Sequence, residues 1–159
     1  MEEKKIKLFL DPQQALTRAQ KYCAYQERSQ QEVRDKLYSF GLHKKEVENI
    51  IAELITSGFL KEERFAIAFA GGKFRTKGWG KIKIRQALVQ KRVSETLIRQ
   101  VLKGIDEQDY MKELKKIIAE KSKKINEKNP LKKNYKVAQY AISRGFEAEL
   151  VWQIMKISE

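Results

Sequence analysis

Apolar residues recur in one register three times along this chain of 159 residues. With Gly41, Arg92 and Gly145 as anchors, Val33, Ile84 and Val137 stand eight residues before, and Leu37, Leu88 and Ala141 four before. Leu42, Val93 and Phe146 follow by one, and the pairs Ile50-Ile51, Val101-Leu102 and Ile154-Met155 follow by nine and ten. A register kept at so many positions marks three copies of one unit, sharing small linked cores in which each copy is stabilised by its neighbour. Within a copy the apolar spacing is three and four, as in Ala15, Leu16, Ala19, Tyr22 and Cys23, or Ala66, Ile67, Ala70 and Phe74. That is the spacing of a helix that buries one face.

Start and stop signals divide the copies into helices. Asp11-Pro12 and Asn129-Pro130 each place an N-cap before a proline at the first helical position. Ser29 and Glu32 have the spacing of a capping box. Gly41, Gly58, Gly104 and Gly145 each follow an apolar run, where a left-handed residue closes a helix. These signals predict helices near 12–26, 30–40 and 44–56, then 62–75, 80–91 and 94–103, then 107–126, 130–143 and 147–157. Gly71-Gly72 predicts a kink or a close backbone approach in the fourth helix. Only Lys5 to Leu10 alternates like a strand, which predicts a short extended arm at 1–10. The expected fold is all-α, with three tandem three-helix repeats over 11–60, 61–105 and 106–159.

Catalytic equipment is sparse. His43 is the only histidine and Cys23 the only cysteine, which leaves no imidazole or thiolate set for a metal. His43 falls just after a helix stop, as a polar loop or first-turn residue, and Cys23 falls on an apolar stripe as a small buried hydrophobe. No phosphate-binding glycine loop is present, since Gly71-Gly72-Lys73 lacks the spacing. The carboxylate pairs Glu62-Glu63 and Asp106-Glu107 sit at helix starts, where the helix dipole favours them. The chain reads as a binding protein without enzyme activity, cofactor or metal. Neither a leader-like segment nor an apolar run of membrane-spanning length is seen, so a soluble, cytoplasmic protein without a membrane partner is expected.

Charge makes the three copies unequal. The net charge is +13, of which Met1 to Leu60 carry +1 and the remainder +12. Between Lys73 and Arg92 stand eight basic residues and no acid: Lys73, Arg75, Lys77, Lys81, Lys83, Arg85, Lys91 and Arg92. Such a run is either a solvated lysine-rich surface or a polyanion contact. The interleaved Phe74 and Trp79 favour the second.

Two strings carry a family resemblance: YCAYQERSQQEVRDKL and LITSGFLKEERFAIAFAGGKFRTKGWGKIKIRQAL. The chain resembles the RecX family, bacterial regulators of the RecA recombinase. The likeness is sharpest at Glu27-Arg28-Ser29, at Gly58-Phe59-Leu60 leading to Arg64-Phe65-Ala66, and from Gly78 to Leu88. It continues more weakly to Arg144-Gly145-Phe146 and spans Ala15 to Met155. Two positions depart from the family pattern. Lys61 stands where an acid commonly follows the Gly-Phe-Leu turn, and Lys91-Arg92 stands where Lys-Gly is usual. The missing glycine disfavours a left-handed cap at 92, so the helix is expected to end differently there.

The resemblance implies a curved, elongated array of three repeats. It also implies binding to the RecA filament on single-stranded DNA, with suppression of filament growth, ATP hydrolysis and strand exchange, and so a place in recombination, DNA repair and the SOS response. The basic run and Trp79 are the candidate DNA- and filament-binding residues, with Trp79 either a stacking group or a plug between helices. Arg28, Arg34 and Arg64 are candidates for protein contact, or hold helices together through ion pairs. Double-stranded DNA is a further candidate ligand, and a monomer is expected. The competing reading is a general helical nucleic-acid-binding protein with no recombinase partner.

Overall fold

The structure is a computed structural model, and it describes residues 8–157. Among the described residues there are nine helices and no strand: α1 (Pro12–Tyr25), α2 (Gln30–Ser39), α3 (Lys44–Thr56), α4 (Glu62–Lys77), α5 (Lys81–Gln90), α6 (Glu95–Lys103), α7 (Glu107–Lys124), α8 (Pro130–Ser143) and α9 (Ala148–Ile157). They form two compact units. One holds the chain through Ala68 with Lys91–Val93; the other holds Phe69–Gln90 and the chain from Ser94 onward.

Every position of the threefold register is inside. Val33, Ile84 and Val137, like Leu37, Leu88 and Ala141, are wholly buried, and Leu42, Val93, Phe146 and the three apolar pairs are buried too. All three anchors adopt the left-handed conformation, with φ of 80° at Gly41, 60° at Arg92 and 101° at Gly145. The anchor is thus a backbone requirement first. Where the sequence supplies arginine, the turn is kept with the side chain in a conformation that costs roughly 1–2 kcal/mol. This corrects the expectation of a different helix end at Arg92: Val93 must still turn inward, and the left-handed residue before it makes that turn.

Other caps follow local chemistry. Asp11 accepts from the Gln14 N–H at 2.8 Å while Gln14 accepts from the Asp11 N–H, and Asn129 caps α8 through the N–H groups of Leu131 and Lys132. Ser29, although buried, makes only half of the expected box. Its Oγ accepts from the Glu32 N–H at 3.0 Å, but the Glu32 carboxylate turns to Lys91 Nζ at 2.6 Å. Gly104 also departs from expectation, with φ −75° in the right-handed region, whereas Gly78 makes a left-handed turn at φ 63°. Helix α4 is continuous through Gly71-Gly72, where a β-carbon on Gly71 would meet the flexible guanidinium of Arg75 and one on Gly72 would meet nothing.

Of the expected arm, residues 1–7 lie outside the described residues. Leu8 to Leu10 have no regular secondary structure; the Leu10 N–H donates to Phe40 O at 3.1 Å, and the Phe9 ring covers Gly41. In the first unit α1, α2 and α3 pack together around Leu37, Val47 and Leu54. Cys23 is buried there, and burial pushes its thiol up. Glu62, at the start of α4, does more than face a helix dipole, because it accepts the Gln30 N–H at 2.9 Å. Burial holds its carboxyl above the usual carboxylate range.

In the second unit α5 packs on α6, and α8 packs on both α7 and α9. Its centre is a row of rings, Phe74, Tyr110 and Phe146, with successive centroids 5.9 and 5.1 Å apart. Gly80 and Gly145 let two backbones meet beside this row. The Gly80 N–H donates to Arg144 O at 2.8 Å and the Ile82 N–H to Gly145 O at 3.0 Å.

Candidate nucleic-acid interface

Trp79 lies between α4 and α5 in a turn fixed by Gly78, and its N–H donates to Lys73 O at 3.1 Å. The indole is half-buried. Phe69 meets it edge-on, with centroids 6.4 Å apart and planes at 75°, and two ammonium groups border it. Lys73 Nζ, from α4, is 4.9 Å from the ring centroid, and Lys83 Nζ, from the first turn of α5, is 4.6 Å away. Each cation–ring contact at such a surface site is worth about 0.5–1 kcal/mol. The result is a half-buried aromatic group bordered by two positive charges. Single-stranded nucleic acids are bound by rings for bases and ammoniums for phosphates.

The other basic side chains of the run differ from one another. Arg75 and Lys77 are exposed on the last turn of α4, with Arg75 folded back over Gly71. Lys81 Nζ stands 4.8 Å over the Tyr110 ring. Arg85 is paired with Glu95, and Lys91 with Glu32, so those two charges are compensated within the protein. Arg92 is exposed. Lys91 and Arg92 belong to the first unit, and the remaining members of the run to the second.

The three arginines singled out for protein contact have partners inside the first unit. Arg34 forms a fork with both carboxylate oxygens of Glu48, at 2.7 and 3.2 Å, which holds that carboxyl below its ordinary range. Arg64 binds Glu27 at 2.9 Å and the Gly58 carbonyl at 2.9 Å. Arg28 donates to Tyr22 O at 3.0 Å and stacks on the Tyr22 ring, 3.7 Å from its centroid.

The apolar pattern gave no hint of one polar group beside the interface. Tyr110 lies on the buried stripe of α7 with Leu114 and Ile118, and its hydroxyl donates to Glu147 at 2.7 Å while accepting from the Lys81 N–H at 3.1 Å. Burial pushes the phenol well above its ordinary range, the Lys81 N–H opposes this, and Glu147 adds to it. The available signal was a tyrosine in a leucine-isoleucine stripe, since a buried hydroxyl requires a partner. His43 occupies the N-cap of α3, where its N–H donates to Glu46 at 3.1 Å. Among the described residues no three His, Cys, Asp or Glu gather as metal ligands, and no helix is long and apolar enough to cross a membrane.

Tandem three-helix units, one of them carrying a lysine-bordered tryptophan, define a helical-repeat protein. Family models for the first and second three-helix domains of RecX match residues 15–54 and 62–102. The chain is 30% identical to Regulatory protein RecX of Clostridium tetani over 140 residues, which are 87% of this chain and 62% of that relative's length. It is 29% identical to Regulatory protein RecX of Prosthecochloris aestuarii over 147 residues, covering 91% of this chain and 93% of that one. The fold matches the crystal structure of RecX from Lactobacillus salivarius with a TM-score of 0.82 at 20% identity, covering 91% of this chain and 94% of that one. The chain belongs to the RecX family.

Proposed function

We propose that this protein is a non-enzymatic regulator of homologous recombination that binds the RecA filament on single-stranded DNA and restrains its growth, ATP hydrolysis and strand exchange. Its place is the bacterial cytoplasm, acting as a monomer of three repeats over 11–60, 61–105 and 106–159. Family membership supports the regulatory role, and the relatives carry the name Regulatory protein RecX. The observation that carries the nucleic-acid part is Trp79 bordered by Lys73 and Lys83. An ammonium that meets a phosphate there releases counterions without reading sequence, and the ring offers a face to a base.

Arg28, Arg34 and Arg64 are engaged by partners within the first unit, and that unit, whose first sixty residues carry only +1, is the candidate contact for the recombinase. The test adds the purified protein to RecA filaments on single-stranded DNA and follows ATP hydrolysis at substoichiometric amounts. Hydrolysis is expected to fall, and filaments to shorten in electron micrographs. Unchanged hydrolysis and filament length, with binding to DNA retained, would establish a general nucleic-acid-binding protein instead.

A further inference from the structure

A second basic stretch runs from the end of α7 through α8. From Lys121 to Arg144 there are eight basic residues and one acid, Glu127. That acid is already committed, since it accepts from Lys136 Nζ at 2.9 Å. Beside it is an open cleft of about 500 Å³ lined by Glu127, Leu131, Lys132, Tyr135 and Lys136. Leu131 is 80% exposed and Tyr135 59%, one helical turn apart on the same face of α8. The backbone donors at the start of this helix are taken, because Asn129 Oδ1 accepts from the N–H groups of both Leu131 and Lys132. What remains for a ligand is the side chains, namely an exposed ring with an apolar neighbour, bordered by ammoniums.

We propose that the Leu131–Tyr135 cleft is a second binding surface for single-stranded nucleic acid, separate from Trp79, in which Tyr135 stacks a base and Lys132, with the exposed Lys128 next to Glu127, holds phosphates. Charge complementarity selects an anionic partner, and the composition of the cleft selects among anions. A lipid surface is engaged by a broad apolar face, whereas this cleft has a single leucine and a ring. An acidic peptide is satisfied by the lysines alone and leaves Tyr135 without a role. A strand of nucleotides uses both, because each phosphate carries a base one bond system away.

The experiment uses the full chain and a fluorescein-labelled oligothymidylate, followed by anisotropy across a salt series, with no recombinase present. Failure here therefore leaves the regulatory proposal standing, and failure in the filament assay leaves this one standing. Replacing Lys128 and Lys132 together by Gln is expected to reduce the salt slope by about 1.4, two phosphate contacts at roughly 0.7 each. Tyr135→Ala is expected to weaken binding roughly tenfold at unchanged slope, and Tyr135→Phe to restore it. An oligonucleotide carrying bromodeoxyuridine is expected to cross-link to the peptide containing Tyr135. These side chains lie at the surface, and circular dichroism checks that each variant is folded. Wild-type slope and affinity in the double variant, or cross-links confined to 73–92, would overturn the proposal. So would lysine-dependent binding that ignores Tyr135, which would mark a general phosphate contact with no base seated in the cleft.

Discussion

Gly80→Ala tests how the second unit is held together. A β-carbon built on Gly80 lies 2.3 Å from the Gly145 carbonyl carbon, 2.4 Å from its oxygen and 2.4 Å from the Phe146 nitrogen. All three are backbone atoms, so no rotamer change relieves the overlap, and the segments must separate by about 1 Å to reach ordinary contact. Separation of that size breaks the Gly80 N–H bond to Arg144 O, now 2.8 Å, and the Ile82 N–H bond to Gly145 O, now 3.0 Å. Two hydrogen bonds at about 1 kcal/mol each, with overpacking of roughly 1–3 kcal/mol, give a loss near 3–5 kcal/mol. For a chain of this length that corresponds to a Tm lower by about 10 °C.

Intrinsic tryptophan fluorescence in a urea titration is the assay, because Trp79 and Trp152 both lie in the second unit and are the chain's only tryptophans. Gly72→Ala is the control. Its β-carbon meets nothing within 4 Å inside a continuous helix, so it should gain about 0.5–1 kcal/mol from helix propensity. A loss below about 1 kcal/mol for Gly80→Ala, with unchanged m, would refute the argument that these backbones must touch.

Arg92→Gly relieves the left-handed strain at φ 60° but loosens the unfolded chain, leaving a net gain of about 0.5–1 kcal/mol in thermal unfolding followed by circular dichroism. Tyr110→Phe removes the acceptor of the Lys81 N–H and the donor to Glu147, and should cost about 1–3 kcal/mol in the tryptophan-detected transition. Glu62 has a raised pKa from burial, so its protonated form is favoured by folding. The stability it contributes is full below the ordinary glutamate range, near 4.3, and is lost as pH rises through the raised value. Glu62→Gln should abolish that part of the pH dependence while its amide oxygen keeps the Gln30 N–H bond, a difference read from paired urea titrations at pH 4 and 7. Lys73→Gln with Lys83→Gln should lower the salt slope of oligonucleotide binding by about 1.4, whereas Arg85→Gln, whose charge already serves Glu95, should change it little.

What the sequence made legible is what local chemistry decides. The limits of all nine helices fall within two residues of their expected places, because proline, cap residues and the three-four spacing act within a turn or two. The misses have longer-range causes. Glu32 left its capping box for Lys91, 59 residues away, and Gly80 needed Gly145, 65 residues on. At Gly71-Gly72, where a kink or a close backbone approach was expected, α4 runs on unbroken and a β-carbon on Gly72 would meet nothing within 4 Å. At Arg92 the comparison of glycine with arginine identified the cost correctly and the outcome wrongly, since the buried Val93 keeps the turn and the strain with it.

The same distinction governs the candidate interface. Eight basic residues without an intervening acid read as one uniform patch along the chain. In three dimensions Glu95 and Glu32, each outside the run, neutralise Arg85 and Lys91, and aromatic rings claim Lys73, Lys81 and Lys83 without neutralising them. A cation over a ring keeps its charge and most of its donors, whereas a cation bound to a carboxylate has spent both. Net charge therefore overstates the phosphate-binding capacity at Arg85 and Lys91 and describes it fairly at Lys73 and Lys83. Applied to α7 and α8, the same reasoning removes Lys136, paired with Glu127, and leaves Lys132 in the cleft with Tyr135 and Lys128 exposed next to Glu127 in the chain. The interface is thus set by which lysines the protein leaves without a carboxylate and which rings it places among them.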